Sequence, residues 1–280
     1  MKKLTPVFKV SVLVTVLFIL WGLIPKRILP NGNLDSVTLS VQSFILEKFG
    51  WFYLMAASIF LIFAVVLIFT KYGNIRLGKD TDRPEFNMIT WFAMLFSAGM
   101  GIGLVFWGVA EPLFHYHDPP FIEGGTPDAA RGAIRYSFFH WGLHPWAIYA
   151  VIGLALAYFQ FRKEQPGVIS SILRPVFGDR VDGNIGTLID FIAVFATVFG
   201  VATSLGLGAI QISGGLSYQF NGISNNFTTQ MIIIIVVTIL FMTSAQTGLD
   251  KGIKYLSNLN ILLAFLLLLF LLFVGPSNFI

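Results

Sequence analysis

The chain has 280 residues, of which 56% are hydrophobic and only 11% are charged. Soluble domains carry about 25% charged residues, so this composition excludes an ordinary soluble protein and indicates an integral membrane protein with the lipid bilayer as its solvent. The lack of cysteine excludes disulfides and thiolate metal sites, and the net charge of +4 gives no indication of a nucleic-acid partner.

Seven apolar runs are candidates to cross the membrane, because a helix needs about 20 residues to span about 30 Å of hydrocarbon. Each must be helical to pair its own backbone groups. The predicted fold is therefore all-α, with about seven transmembrane helices at residues 7–24, 51–70, 88–114, 138–161, 187–212, 228–245 and 258–274. The first run is expected to be a membrane helix and not a cleaved signal peptide, because no small-residue cleavage site follows it and more runs come after.

The distribution of lysine and arginine predicts the orientation of the chain in the membrane. With a cytoplasmic N-terminus, 13 of the 18 basic residues fall on the inside, beginning with Lys2 and Lys3, and 5 fall on the outside. We therefore expect the N-terminus to be cytoplasmic. The two longest loops, residues 115–137 outside and 162–186 inside, are rich in proline and glycine and are long enough to hold short interfacial helices.

The third run contains glycine at every second position, at Gly99, Gly101 and Gly103. Each glycine weakens a helix by about 1 kcal/mol relative to alanine. Two interpretations remain open: close packing of helices through small residues, or a discontinuous helix whose freed backbone groups face an ion and a substrate. Alternate spacing does not place all three glycines on one helix face, which favours the break.

The fourth run opens with large aromatic residues at Trp141, Trp146 and Tyr149. On an ideal helix Trp146 and Tyr149 are neighbours, and Trp141 can share their side, although a kink at Pro145 would shift these angles. One interpretation is an interfacial aromatic belt. The other is a box for a quaternary ammonium group, which has no N–H to donate and is held by aromatic faces instead.

Three further polar features have two interpretations each. His140 and His144 have the i, i+4 spacing of a metal pair, but no third ligand lies beside them in sequence, so hydrogen bonding at a helix end is the alternative. Asp190 near the start of the fifth run is either functional or interfacial. Thr197 either bonds to the carbonyl four residues back or helps to bind a sodium ion.

Several of these motifs occur together in the order and spacing of one known family. Across most of residues 50–275 the chain resembles the betaine/carnitine/choline transporter family, in Gly99-Met100-Gly101-Ile102-Gly103 with Glu111-Pro112, in residues 139–149, in residues 196–200 and in residues 252–258. The resemblance implies a leucine-transporter-like core of two inverted five-helix repeats. Residues 1–75 would be two peripheral helices and residues 76–280 the first repeat. The second repeat is not among these 280 residues, so the chain alone is not expected to transport.

The resemblance also implies roles for individual residues. Trp141, Trp146 and Tyr149 would be box aromatics, and Gly99, Met100 and Gly101 would lie on an unwound stretch beside the substrate carboxylate. Backbone oxygens near Ser97 and Met100 would contribute to one sodium site and Thr197 to a second. The family has another threonine four residues after Thr197, where this chain has Val201, which removes one hydroxyl ligand from the second sodium site.

From this resemblance we expect a sodium-coupled symporter of the plasma membrane that takes up glycine betaine or a related quaternary ammonium osmolyte for osmotic protection. Sodium would be the coupling ion, no other cofactor is expected, and homotrimers are the assembly that the family implies. The alternative is a truncated, non-transporting membrane sensor or assembly subunit. An intramembrane enzyme is disfavoured, because no nucleophile–base or metal constellation accompanies the histidine pair.

Overall fold

A computed structural model of the chain describes residues 4–99 and 101–275, with backbone alone at positions 98, 102, 104 and 250. Within these residues the regular elements are all helical, which confirms the all-α prediction. The α-helices are α1 Pro6–Gly22, α2 Leu34–Phe69, α3 Met88–Gly99, α4 Ile102–His117, α5 Pro127–Trp141, α6 Leu143–Ala157, α7 Ile169–Ile172, α8 Arg174–Phe177, α9 Asn184–Gln219, α10 Phe227–Thr247 and α11 Lys254–Val274.

Five helical stretches in the described part of the chain are long and apolar enough to cross a membrane: Leu34–Phe69, Pro127–Arg162, Asn184–Gln219, Phe227–Thr247 and Lys251–Val274. Shorter apolar helices occupy Pro6–Gly22 and Met88–Ser97. Each of these seven stretches overlaps one of the seven predicted runs. The protein is therefore a multi-pass helical membrane protein.

The apolar side chains of these helices point outward to an extent that water would not permit. In α11, for example, Leu263, Leu267 and Phe270 are each more than half exposed. A soluble monomer rarely leaves such continuous apolar surface uncovered. These faces must therefore be covered by lipid hydrocarbon or by another apolar protein surface.

Several helices extend well beyond their apolar runs. α2 begins at Leu34 and not at residue 51, because the Asn33 side chain accepts a hydrogen bond from the backbone N–H of Ser36 at 3.0 Å and so caps the helix there. Its 36 residues make it about 54 Å long. Hydropathy locates the part of a helix that lies in hydrocarbon, whereas capping and backbone pairing decide where the helix begins and ends.

The third run is a broken helix, as the glycine pattern favours. α3 ends at Gly99, α4 begins at Ile102, and Gly101 between them has extended backbone angles of φ −89° and ψ −153°. Met100, like Lys2 and Lys3, lies outside the described residues. The prediction of a discontinuous helix is confirmed.

A second break divides the fourth run. α5 ends at Trp141 and α6 begins at Leu143, because Gly142 leaves the helical conformation with φ −82° and ψ −133°. A Cβ atom at this position would clash with the carbonyl oxygen of Phe138. Pro145, where the sequence analysis placed a kink, lies instead in the first turn of α6, where its missing N–H is tolerated.

The elements form two compact groups. In the first, which extends to Asp82 and includes Phe138–Phe199, α2 packs along α6, and Phe18 of α1 contacts Phe195 and Phe199 of α9 with ring centroids 5.5 Å and 4.9 Å apart. In the second, which begins at Arg83, runs to Ser137 and resumes at Gly200, α3 packs against α11. The predicted division at residue 75 refers to transporter repeats, and it stays a prediction.

Candidate functional site

Two of the three predicted box aromatics lie side by side on α6. The rings of Trp146 and Tyr149 have centroids 6.1 Å apart and planes at 83°, an edge-to-face arrangement set by their i, i+3 spacing on the helix. Trp146 is 37% exposed and Tyr149 is 48% exposed. An aromatic surface is thus presented on the first turns of α6.

Trp141 belongs to the preceding helix and not to α6. It is the last residue of α5 and is half-buried, with its ring against that of His140 at 5.0 Å. The break at Gly142 separates it from Trp146, so the angles of one continuous ideal helix do not apply to this pair. The assignment of all three residues to one box stays a prediction.

The break in the third run presents two helix ends with opposite electrostatic character. The last carbonyl groups of α3 lack intrahelical partners, and so do the first N–H groups of α4. Gly101 precedes α4 without a side-chain cap. Carbonyl oxygens suit a hard cation, whereas the N-terminal end of a helix suits an anionic group.

The described residues around Gly101 leave space for a larger side chain at this position. A Cβ atom added there would meet no heavy atom within 4 Å among the residues that the structure describes, and its φ of −89° is open to any residue. Glycine at such a position leaves room for a close approach to the backbone by something other than a neighbouring side chain.

Ser97, at the end of α3, is linked by its side chain to α11. Its hydroxyl donates to the carbonyl oxygen of Ser257 at 3.3 Å and accepts from the Asn260 amide at 3.4 Å. Ser257 is buried. The sequence analysis missed Ser257 and Asn260 as partners of Ser97, since they lie about 160 residues further along the chain and nothing local marks them.

Thr197 lies on α9 with its hydroxyl donating to the carbonyl oxygen of Ala193 at 2.8 Å. This is the ordinary bond of a threonine within a helix, and it leaves the oxygen lone pairs able to bind a cation. Val201, one turn later, is 48% exposed and offers no oxygen on its side chain. The role of Thr197 in a sodium site stays a prediction.

Asp190 has a structural partner that the sequence did not reveal. Its carboxylate accepts hydrogen bonds from both the backbone N–H and the hydroxyl of Ser170, each at 2.8 Å. Ser170 is buried at the start of α7. Asp190 therefore ties the loop after α6 to the start of α9, which accounts for a charge at that position.

The two histidines of the fourth run contact different residues. His140 contacts Trp141, as described above. The His144 ring packs on that of Phe139 with centroids 4.8 Å apart, and its Nε2 lies 3.5 Å from Ser58 Oγ on α2. Within the described residues no group of three or more histidine, cysteine, aspartate or glutamate side chains is placed to hold a metal ion.

Comparison with known proteins relates this arrangement to transporters. The family model described as "BCCT, betaine/carnitine/choline family transporter" matches residues 6–280. Glycine betaine transporter OpuD of Bacillus subtilis (strain 168) is 56% identical over 278 residues, which are 99% of this chain and 53% of that protein. The ectoine/hydroxyectoine transporter of Virgibacillus pantothenticus is 44% identical over 277 residues, or 98% of this chain and 54% of that one.

A probable glycine betaine transporter of Desulfitobacterium hafniense (strain Y51) is 46% identical over 279 residues, which cover 100% of this chain and 55% of that protein. The chain thus spans about half the length of the curated relatives it matches. Because the family model matches residues 6–280, nearly the whole chain, the chain belongs to the betaine/carnitine/choline family of transporters.

Proposed function

We propose that the protein takes part in sodium-coupled transport of glycine betaine or a related quaternary ammonium osmolyte across the plasma membrane. The observation that carries the proposal is the edge-to-face pair of Trp146 and Tyr149, exposed on α6. A quaternary ammonium group is held by such faces at about 0.5–2 kcal/mol each. The similarity to glycine betaine transporter OpuD and to a probable glycine betaine transporter supports this substrate class.

In this proposal the substrate carboxylate would be bound at the break at Gly99–Gly101. Glycine betaine is a zwitterion, so its carboxylate needs donors as its ammonium group needs aromatic faces. The first N–H groups of α4 are such donors, and Gly101 leaves room for the carboxylate to approach them. Gly99, Met100 and Gly101 would thus contact the substrate through their backbone.

Sodium would be bound by oxygen atoms at two sites in this proposal. Backbone oxygens near Ser97 and Met100 would contribute to one, because the last carbonyl groups of a helix lack intrahelical partners, and the hydroxyl of Thr197 on α9 to the second. Hard cations prefer such oxygen ligands. In this proposal a cytoplasmic N-terminus places the inside loops, with their excess of basic residues, on the side to which substrate is released.

Uptake by proteoliposomes tests the proposal, with the protein expressed from its complete genomic reading frame. We expect labelled glycine betaine to accumulate under an inward sodium gradient and not under an equal potassium gradient. Ectoine and choline as competitors would rank the substrates. Binding of betaine without uptake would overturn transport in favour of the sensor, and failure to bind any of these compounds would overturn the substrate class.

A further inference from the structure

His144 lies at the junction of the two helices that carry the proposed aromatic box. It is the second residue of α6, and it lies between Trp141, which ends α5, and Trp146. The sequence analysis considered it only as a metal or helix-end residue. Its position in the structure relates it to the geometry of the box.

The imidazole ring of His144 contacts residues on two other helices. It packs on the ring of Phe139, in the last turn of α5, with centroids 4.8 Å apart and planes at 57°. On its other side Nε2 lies 3.5 Å from Ser58 Oγ on α2, the helix that packs along α6. One half-buried side chain of α6 thus contacts both the helix before the break and the helix alongside.

The junction beside this ring has Gly142 as its connecting residue. Gly142 has the widest backbone freedom of any residue, and it caps α6 without a side-chain hydrogen bond. The relative orientation of Trp141 and Trp146 therefore depends on tertiary contacts across the break. The stack of His144 on Phe139 and the contact with Ser58 are contacts of that kind.

We propose that His144 is a positioning residue, which holds α5 and α6 at the angle that sets Trp141 and Trp146 around a quaternary ammonium group. The inference rests on the proposed function, because it assumes that these tryptophans form the box. Ser58 extends the same role to α2, so a helix outside the predicted first repeat helps to define the substrate site.

Substitutions at His144 and Ser58 separate this role from mere packing. Ser58→Ala removes the hydroxyl alone, His144→Ala removes both contacts, and His144→Gln retains an amide that can reach Ser58. Ser40→Ala on the same helix is the matched control, since the exposed Ser40 hydroxyl donates to the Ser36 carbonyl of its own helix at 2.8 Å.

Transport kinetics of the protein from its complete reading frame give the first measurement. We expect His144→Ala to raise the KM for glycine betaine by about tenfold with Vmax little changed, because small displacements of site groups have large effects. His144→Gln is expected to recover much of the affinity, Ser58→Ala to show a smaller increase, and Ser40→Ala none.

Distances between spin labels give a second measurement, which reports the junction directly. The 280 residues contain no cysteine, so Phe138→Cys and Leu154→Cys, both at exposed positions, would carry the labels. They lie about 24 Å apart along a helical path. We expect one narrow distance distribution in the parent protein and a broader or shifted one after His144→Ala.

The outcomes distinguish the inference from the proposed function. If the parent protein transports betaine but His144→Ala changes neither KM nor the distance distribution, the positioning role is wrong and the transporter assignment stands. The positioning role would also be wrong if the alanine and glutamine variants lose transport activity equally, with reduced thermal stability and an unchanged KM. That result would indicate a packing role. If the parent protein does not bind betaine at all, the proposed function itself fails.

Discussion

At the scale of single residues, the proposed site depends on what Trp146 and Tyr149 present to the membrane interior. Their rings are in edge-to-face contact at 6.1 Å and are partly exposed, whereas Trp51 on α2 is 61% exposed but is not one of the predicted box residues. Substitutions of Trp146 and Trp51 therefore compare an aromatic residue of the proposed site with an exposed aromatic residue outside it.

Trp146→Ala is expected to weaken binding of glycine betaine by about tenfold, because one lost cation–π contact is worth about 0.5–2 kcal/mol and about 1.4 kcal/mol is a factor of ten. Trp146→Phe should lose less, and Trp51→Ala should lose nothing. The KM of betaine uptake measures the effect. An unchanged KM in Trp146→Ala would remove this residue from the box.

Thr197 has a close counterpart in Thr243 of α10, whose hydroxyl also donates to the carbonyl four residues back at 2.8 Å. Thr197→Val is expected to raise the sodium concentration needed for half-maximal uptake several-fold, while Thr197→Ser retains the oxygen and the affinity. Thr243→Val is the control, since it removes the same helical bond elsewhere. Equal effects at both positions would show that the bond, and not a sodium ligand, matters.

At the scale of helices, the decisive features are two breaks at glycine that have different causes. At Gly101 an added Cβ atom would meet no described atom within 4 Å, whereas Gly142 is required by its surroundings, because a side chain there would clash with the Phe138 carbonyl. The first glycine fits a function of close approach, and the second fits the geometry of the α5–α6 junction.

Gly142→Ala is expected to destabilise the protein by about 1–3 kcal/mol, the usual effect of forcing a residue into a strained position. Gly153→Ala, in the middle of α6 where a Cβ atom meets nothing within 4 Å, should be neutral or stabilising by up to about 1 kcal/mol through helix propensity. Thermal unfolding in detergent compares the two. A stable Gly142→Ala variant would contradict the described junction.

Ion pairs connect the loop after α2 to the end of the fourth run. Arg162 donates to the Asp80 carboxylate at 2.7 Å, and this pairing lowers the pKa of Asp80 below its ordinary 3.8. The Lys79 ammonium group in the same way lowers the pKa of Glu164 below 4.5. A carboxylate whose pKa is lowered in the folded state stabilises that state fully when the pH is above its ordinary pKa. This stabilisation is lost as the pH falls through the lowered pKa.

We therefore expect the loop at residues 71–87 to become more mobile as the pH falls below about 4, and also in high salt, because exposed pairs are screened. Asp80→Asn should produce the same mobility at neutral pH, as measured by hydrogen exchange of that loop. Asp118→Asn, at an exposed aspartate in another loop, is the control. Exchange that is the same in the parent and Asp80→Asn proteins would mean that the pair does not hold the loop.

At the scale of the whole molecule, the distribution of basic residues predicts which side of the membrane each loop faces. Inside and outside loops differ in their numbers of basic residues, 13 against 5, if the N-terminus is cytoplasmic. Exposed Arg131 lies in the outer set and exposed Lys163 beside α6 would lie in the inner one. Because the 280 residues lack cysteine, single cysteines can report on each side.

Arg131→Cys is expected to react with a membrane-impermeant maleimide in intact cells, whereas Lys163→Cys should react only after the membrane is made permeable. The charge distribution is the physical reason, since positively charged loops are retained on the cytoplasmic side. The protein without an introduced cysteine is the control. The reverse pattern would invert the topology and the proposed direction of the site.

The sequence by itself determined the class of protein, the approximate positions of its apolar runs and the transporter family, and it favoured a break in the third run. Hydrocarbon leaves a chain few choices, because backbone groups must pair within each helix and charges must leave the spans. Glycines at 99, 101 and 103 lower helix stability whatever surrounds them, so that break was predictable from local sequence.

Only the tertiary structure decided that the fourth run breaks at Gly142, that Asp190 accepts hydrogen bonds from Ser170, and that His144 contacts both Phe139 and Ser58. The long-range contacts among these are the reason: Ser58 and His144 are 86 residues apart in sequence, and Ser97 and Asn260 are 163 apart. Local pattern carries information on propensity and hydropathy, but the partner of a buried polar group is settled by which helices pack together.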